Sequence, residues 1–331
     1  MVSNIGALLG AALLLLVPAV AAAQTADFAA LRERVLHPPP GHVIVVAHRA
    51  CFSAAPENSP EAIDACAKLG VEVVENDVRS TKDGELIVMH DDTVNRTTNG
   101  WGYVNDLTLA DMAALRLRDG QGGAGAAVTT TPVTTLRAYY LAAKGKVMIN
   151  LEMKPSLAAN FETLLAKSLT IAAEEGVLDQ ILLKVPDNFS HGKLASKHVL
   201  DTLALPAGVT MWPIIWEGAA DPIQRLDTLE AHKGSGYELP FLTPDYFKRI
   251  AGDPRLKGRP VMAVAVQPQW SGGFSDQVSM SDPDAGWGRL LDLGANVIMT
   301  DRPEYILRYL EKRGRRKGGA LYKTSATPRL P

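Results

Sequence analysis

Cysteine is scarce in this chain. Only Cys51 and Cys66 occur, so at most one disulfide can form. An exported protein could bridge them, and two ordinary thiols are the other reading. Charge of one sign is not in excess either: the formal net charge is -2, which gives no reason to expect a nucleic-acid partner. Beyond the first residues, no run approaches the ~20 apolar residues that a spanning helix needs. No G-x-G-x-x-G turn follows the first strand, which argues against an open dinucleotide-binding sheet.

The N-terminus differs in kind. "ALLGAALLLLVPAVAAAQTA" is an apolar core of signal-peptide length followed by small residues. Residues 1–26 therefore read as an export signal, cleaved near Ala23 or Ala26, although the usual basic start is missing. An uncleaved anchor is the alternative. No cysteine follows the run, so a lipoprotein is not expected. The expected location is periplasmic or secreted, with no stable membrane span after cleavage.

What remains is an ordinary globular composition, 47% hydrophobic and 21% charged. Short β-branched runs alternate with helical segments. Strands are expected at 43–47, 72–78, 146–154, 181–185, 209–216, 237–242, 260–266 and 296–300. Helices are expected at 59–70, 156–175, 221–233, 244–252 and 284–293. Eight such units point to an α/β fold, a (β/α)8 TIM barrel spanning residues 40–311. The run 86–89 follows the strand at 72–78 too closely for a parallel crossover. It reads as a hairpin return through Asp83-Gly84. Residues 93–135 look like a small insertion over the barrel mouth, with one short helix (Leu109–Leu117) and a loose Gly/Ala stretch. Residues 312–331 read as a basic flexible tail.

The strand ends carry the chemistry. Side chains at i and i+2 on a strand share a face, so Glu75 and Asp77 point the same way. Glu152 and Lys154 repeat the arrangement, and His48 and Arg49 end the first strand. All of these lie at carboxyl ends of barrel strands, where such barrels place their sites. Three converging carboxylates repel one another unless a cation joins them. The all-oxygen set Glu75, Asp77 and Glu152 suits one hard divalent cation, Ca2+ or Mg2+. Arg49 and Lys154 add the positive charge a phosphate needs, and His48 and His90 offer an acid and a base near neutral pH. A Glu-x-Asp pair alone is common on strands, and a lone histidine at a strand end is more often structural. The joint order of these residues is far more specific.

"AHRA…PENSPEAI…VENDVRSTKDGELIVMHDDTVNRTTNGWG", with "NLEMKP" and "GWGRLLDLGANVIMTDRP", resembles the glycerophosphodiester phosphodiesterase family over most of residues 43–310. The resemblance implies a TIM barrel with a small insertion after the second histidine. It implies metal-dependent hydrolysis of small-molecule glycerophosphodiesters to sn-glycerol 3-phosphate and an alcohol, by attack of the glycerol 2-hydroxyl. It implies Glu75, Asp77 and Glu152 as metal ligands, His48 and His90 as the catalytic pair, and Arg49 and Lys154 as phosphate-binding residues. Glu57 matches an acidic position near the metal, though it could equally hold its loop. The residues alone leave open which histidine is the base; the resemblance points to His48. No protein partner is implied.

Two departures stand out. Ala50 replaces the usual glycine after His-Arg, so that loop is expected to differ in shape. Trp270 lies beyond Gln267, in a segment expected to line the alcohol side of the pocket. Rival readings are a related barrel phosphodiesterase acting on intact phospholipids, with Trp101, Tyr103 and Leu107 as an apolar rim, and a non-catalytic exported phosphate-ester binder. A glycosidase using Glu75 and Glu152 would leave both histidines, Arg49 and Lys154 without a role.

Overall fold

The computed structural model describes residues 27–156, 160–185, 205–217, 222–231 and 235–316. The segment read as an export signal, residues 1–26, lies outside them. Eleven strands are labelled in chain order: β1 Ile44–Ala47, β2 Val73–Ser80, β3 Leu86–Val88, β4 Arg116–Arg118, β5 Val128–Pro132, β6 Met148–Met153, β7 Ile181–Val185, β8 Thr210–Pro213, β9 Tyr237–Glu238, β10 Val261–Val264 and β11 Val297–Thr300.

Eight strands form one parallel path in the order β8-β7-β6-β2-β1-β11-β10-β9. A bridge between Ile214 and Glu238 brings its two ends together. The result is a near-closed TIM barrel with helices outside. The strands are short β-branched runs buried on both faces, as a helix-covered parallel sheet requires. Their inward side chains, among them Ile44, Val46, Val73, Met148, Met262 and Val297, pack as one cluster, and a separate cluster fills the space between strands and helices.

β3 is the hairpin return. It pairs antiparallel with β2, with Val78 opposite Val88, after a turn with Gly84 at φ 81. The parallel crossover from β2 to β6 is completed by the helix Leu136–Ala143, which the sequence reading left out. Thr135 caps it by accepting a hydrogen bond from the Ala138 N–H. The helix Pro60–Leu69 does begin and end as its signals imply. Ser59 caps it, Pro60 is in the first turn, and Gly70 closes it at φ 80.

Several expectations need correction. The domain starts before residue 40: a helix over 27–36 sets Val35 and Leu36 against the cluster inside the barrel. The Gly/Ala stretch of the insertion is not loose. It is the turn between β4 and β5, and Gly123 N–H donates to the Arg96 carbonyl at 2.7 Å. The expected helix 109–117 stops at Ala114, and Arg116 onward becomes β4. The expected tail does not begin at 312, because Arg316 pairs with buried Glu72 and the Arg315 carbonyl accepts from the Val43 N–H. Residues 317–331 lie outside the described residues.

The loop after β1 keeps a tight shape despite Ala50. Arg49, Ala50 and Asn58 take φ of 55, 65 and 59. Cys51 is joined to Cys66 by a disulfide with Cα atoms 5.3 Å apart, which ties this loop to the helix Pro60–Leu69. A non-glycine residue in the left-handed region costs about 1 kcal/mol. Ala50→Gly is therefore expected to raise Tm by about 2–4 °C, measured by thermal unfolding followed by circular dichroism; an unchanged or lower Tm would show that Ala50 is not strained.

Candidate active site

Strand register builds the floor of the site. Glu75, Asp77 and Arg79 alternate along β2 toward the barrel interior. Asp77 stands opposite Glu152 on β6. The ligand oxygens of Glu75, Asp77 and Glu152 all lie within 4.8 Å of one another. Glu75 and Asp77 are buried, each 1% exposed.

These carboxylates are only partly neutralised. Lys154 Nζ bonds Glu152 and lies 3.5 Å from Asp77, and Lys184 Nζ lies 2.6 Å from Glu152. Burial would raise the Glu152 pKa, but the two lysines outweigh it and hold the group below its ordinary range. Among the described residues Glu75 makes no ion pair, and the two lysines act on it only through longer-range charge. It accepts the Arg49 backbone N–H at 3.0 Å, and burial together with Asp77 pushes its carboxyl well above the usual range. Asp77 Oδ1 and both polar side-chain atoms of Asn150, which pairs with Glu75 across the strands, are buried without a hydrogen bond. An oxygen-rich, crowded set with unsatisfied atoms fits a hard divalent cation.

Each histidine sits on a carboxylate. His48 Nδ1 donates to Asp301 Oδ1 at 2.7 Å, and His90 Nδ1 donates to Asp91 Oδ1 at 2.9 Å. The Nε2 atom of each ring is thereby left to act on a substrate. Burial lowers the His48 pKa, and the Asp301 hydrogen bond only partly offsets this. Asp301 is fixed in turn: its N–H donates to Asp276, which also accepts from Thr300 Oγ1 and Trp287 Nε1. Asp91 is held by Arg96 at 2.8 and 2.9 Å, and the His90 and Arg96 hydrogen bonds keep its pKa low. Arg79 donates to the His90 carbonyl and to Asp92, which locks the end of the hairpin return.

Arg96 also donates twice to Glu57, at 2.9 and 2.8 Å. Glu57 therefore holds its loop and is not among the three clustered carboxylates. Gly122 makes this close fit possible: at φ 73, a Cβ there would lie 2.3 Å from the Arg96 carbonyl oxygen. The insertion thus buttresses the residue that orients His90.

His48, His90, Asp77, Glu152 and Lys154 line one cavity of about 350 Å3 at the carboxyl ends of the strands. Arg49 and Glu75 do not line it. Arg49 lies behind the carboxylates, its Nε 3.7 Å from Asp77 and its Nη1 3.4 Å from Glu57.

A family model described as the glycerophosphoryl diester phosphodiesterase family matches residues 48–185, and one described only as a domain of unknown function matches 212–310. A glycerophosphodiester phosphodiesterase from Caldanaerobacter subterraneus subsp. tengcongensis is 26% identical over 274 residues, 82% of this chain and 99% of that protein. The chain is thus similar to the glycerophosphodiester phosphodiesterase family, through its model over residues 48–185 and through this relative. Two solved structures share its fold. An Oleispira antarctica phosphodiesterase in complex with the product sn-glycerol-3-phosphate has a TM-score of 0.60 at 20% identity, covering 81% of this chain and 96% of its own. A glycerophosphoryl diester phosphodiesterase from Parabacteroides distasonis reaches 0.65 at 18% identity, covering 86% and 92%.

At this site, sequence reasoning missed Asp91, Arg96, Asp301, Lys184 and Glu238. Asp91 lay in the "HDD" segment, where an aspartate beside a histidine was the available signal; Asp301, in "TDRP", is 253 residues from His48 and had no such neighbour. Lys184 and Glu238 are single charges in apolar strands, and no local pattern connects them. An Arg96→Gln variant is expected to lose about 2 kcal/mol in urea unfolding, because buried Glu57 keeps only the long contacts to Arg49. Arg96→Lys should not rescue it, since one ammonium cannot replace the planar fork that bridges Glu57 and Asp91. Full stability of Arg96→Lys would contradict this clamp.

Proposed function

We propose that this enzyme hydrolyses glycerophosphodiesters to sn-glycerol 3-phosphate and an alcohol such as choline or ethanolamine, with His48 and His90 as the acid–base pair. The observation that carries the reading is the meeting, in one cavity, of two carboxylate-held histidines with Lys154, Asp77 and Glu152, with Glu75 clustered against the two carboxylates. Glu75, Asp77 and Glu152 would hold one divalent cation, Ca2+ or Mg2+. Bound there, it supplies Lewis acidity that lowers the pKa of a hydroxyl and offsets phosphate charge.

The protein side chains do the rest. His48 is the more buried ring, and burial favours its neutral form, so it serves as the base. Its Nε2 takes the proton of the glycerol 2-hydroxyl, whose oxygen attacks phosphorus in the same molecule. A cyclic phosphate forms as the P–O bond to the alcohol breaks. His90, more exposed toward the mouth, gives that alcohol a proton. Water then opens the cyclic phosphate with the two roles reversed. Intramolecular attack supplies proximity without a protein nucleophile. Lys154 binds the phosphoryl oxygens, and Arg49, behind Asp77, adds fixed positive charge.

The site works on a small molecule and calls for no protein or nucleic-acid partner. Export to the periplasm or medium is part of the proposal. The Cys51–Cys66 disulfide supports it, since such bridges persist in oxidising compartments. A second reading, cleavage of intact phospholipids, draws on Trp101 and Tyr103 in the insertion, which are 84% and 57% exposed.

The test is release of sn-glycerol 3-phosphate from glycerophosphocholine, beside phospholipid vesicles as a second substrate. EDTA should abolish release, and Ca2+ or Mg2+ should restore it. His48→Ala should lower kcat by about 10²-fold or more. Release that survives EDTA or His48→Ala would overturn the assignment, and turnover of vesicles alone would favour the second reading. The pH profile gives a further check. His48 must be neutral to accept a proton, and burial lowers its pKa from 6.5, so the acid limb of kcat/KM should fall below pH 6.5.

A further inference from the structure

The wall of the cavity away from the histidines is apolar and aromatic. Ile214, Trp216, Pro240, Val264 and Trp270 line it. Trp216 follows β8 and Trp270 ends the turn after β10. Their rings stand 81° apart with centroids at 6.5 Å, forming a corner, and both are half-buried. The turn holding Trp270 is fixed, because its carbonyl accepts the Phe241 N–H at 3.1 Å.

One carboxylate shares this end of the cavity. Glu238 on β9 is buried. Among the described residues its Oε2 has only Lys184 Nζ, at 3.3 Å, while Lys184 lies closer, at 2.6 Å, to Glu152. Negative charge here is therefore shared with a lysine committed elsewhere. An aromatic corner beside an under-neutralised carboxylate attracts a cation through ring faces and long-range charge. Glu238 could accept one N–H of a primary ammonium, but the aromatic and aliphatic walls give its other donors, or those of a polyol, nothing to bond on burial.

We infer that Trp216, Trp270 and Glu238 form a subsite for a quaternary ammonium group on the leaving alcohol, so that choline-type diesters are preferred over ethanolamine and neutral diesters. This rests on the glycerophosphodiester reading of the same cavity.

The experiment compares three diesters with the same glycerol 3-phosphate half: the choline ester, the ethanolamine ester and the 3,3-dimethylbutyl ester. The last has the shape of choline without its charge. For the metal-loaded enzyme, kcat/KM for the choline ester should exceed that for the neutral isostere by about tenfold. The ratio should fall to about two or less in Trp270→Ala and in Trp216→Ala, and Trp270→Phe should recover part of it. Equal values for the choline ester and its isostere, or a ratio unmoved in both alanine variants, would overturn the subsite.

A binding arm separates failure of the subsite from failure of the activity. Tryptophan fluorescence of the same protein is titrated with choline and with 3,3-dimethylbutan-1-ol. Saturable quenching by choline alone, lost in Trp270→Ala, supports the subsite even if no diester is cleaved. Absence of saturable choline quenching contradicts it even if diesters are cleaved.

Discussion

Like charges buried on one strand face set the terms for the whole site. The two-residue repeat of β2 brings Glu75 and Asp77 inward together, and the β2–β6 register adds Glu152 beside them. Such a set is costly in a low-dielectric interior unless positive charge stands nearby. Lys154 and Lys184 answer for Glu152, and Arg49 answers for Asp77 from behind. Among the described residues Glu75 has a backbone N–H and only longer-range lysine charge. The mismatch is local and polar, in a barrel whose remaining interior is packed with aliphatic and aromatic side chains. The proposed cation and phosphate would be bound at this one layer.

The histidines depend on a second tier of carboxylates. Asp301 and Asp91 each fix one imidazole by its Nδ1; Asp301 is held by donating its N–H to Asp276, and Asp91 by accepting from Arg96. The two tiers come from distant parts of the chain. Asp276 and Trp287 secure Asp301 from the segment between β10 and β11, while Arg96 secures Asp91 from the insertion. The insertion is therefore part of the site's scaffold. Its β4–β5 turn and Gly122 press on the Arg96 backbone, and Arg96 joins the loop of Glu57 to the histidine that follows β3.

The barrel was legible in the sequence because each strand is a short apolar run between turn residues, and because β3 follows β2 too closely for a crossover. The helix Leu136–Ala143 was not, since its eight residues follow a Thr-rich stretch that reads as loop. The helix over 27–36 was hidden for another reason: only tertiary packing shows that its apolar face enters the barrel. At the site, Glu75, Asp77, Glu152 and Lys154 announced themselves by the period of the strand. Lys184 and Glu238 did not, because their significance lies in a run of contacts between strands, from Glu152 on β6 to Lys184 on neighbouring β7 and on to Glu238 on β9. Ala50 shows the converse. The sequence suggested an altered loop, but the chain adopts the left-handed turn with alanine in place.

The central claim is that the crowding of Glu75, Asp77 and Glu152 exists to bind one divalent cation. Equilibrium dialysis with Ca2+ and with Mg2+ tests it most directly, on the wild-type protein and on Asp77→Asn and Glu152→Gln variants. The account predicts one saturable ion per chain in the wild type and a loss of about tenfold or more in affinity in each variant. No saturable ion in the wild type, or undiminished binding in both variants, would contradict it.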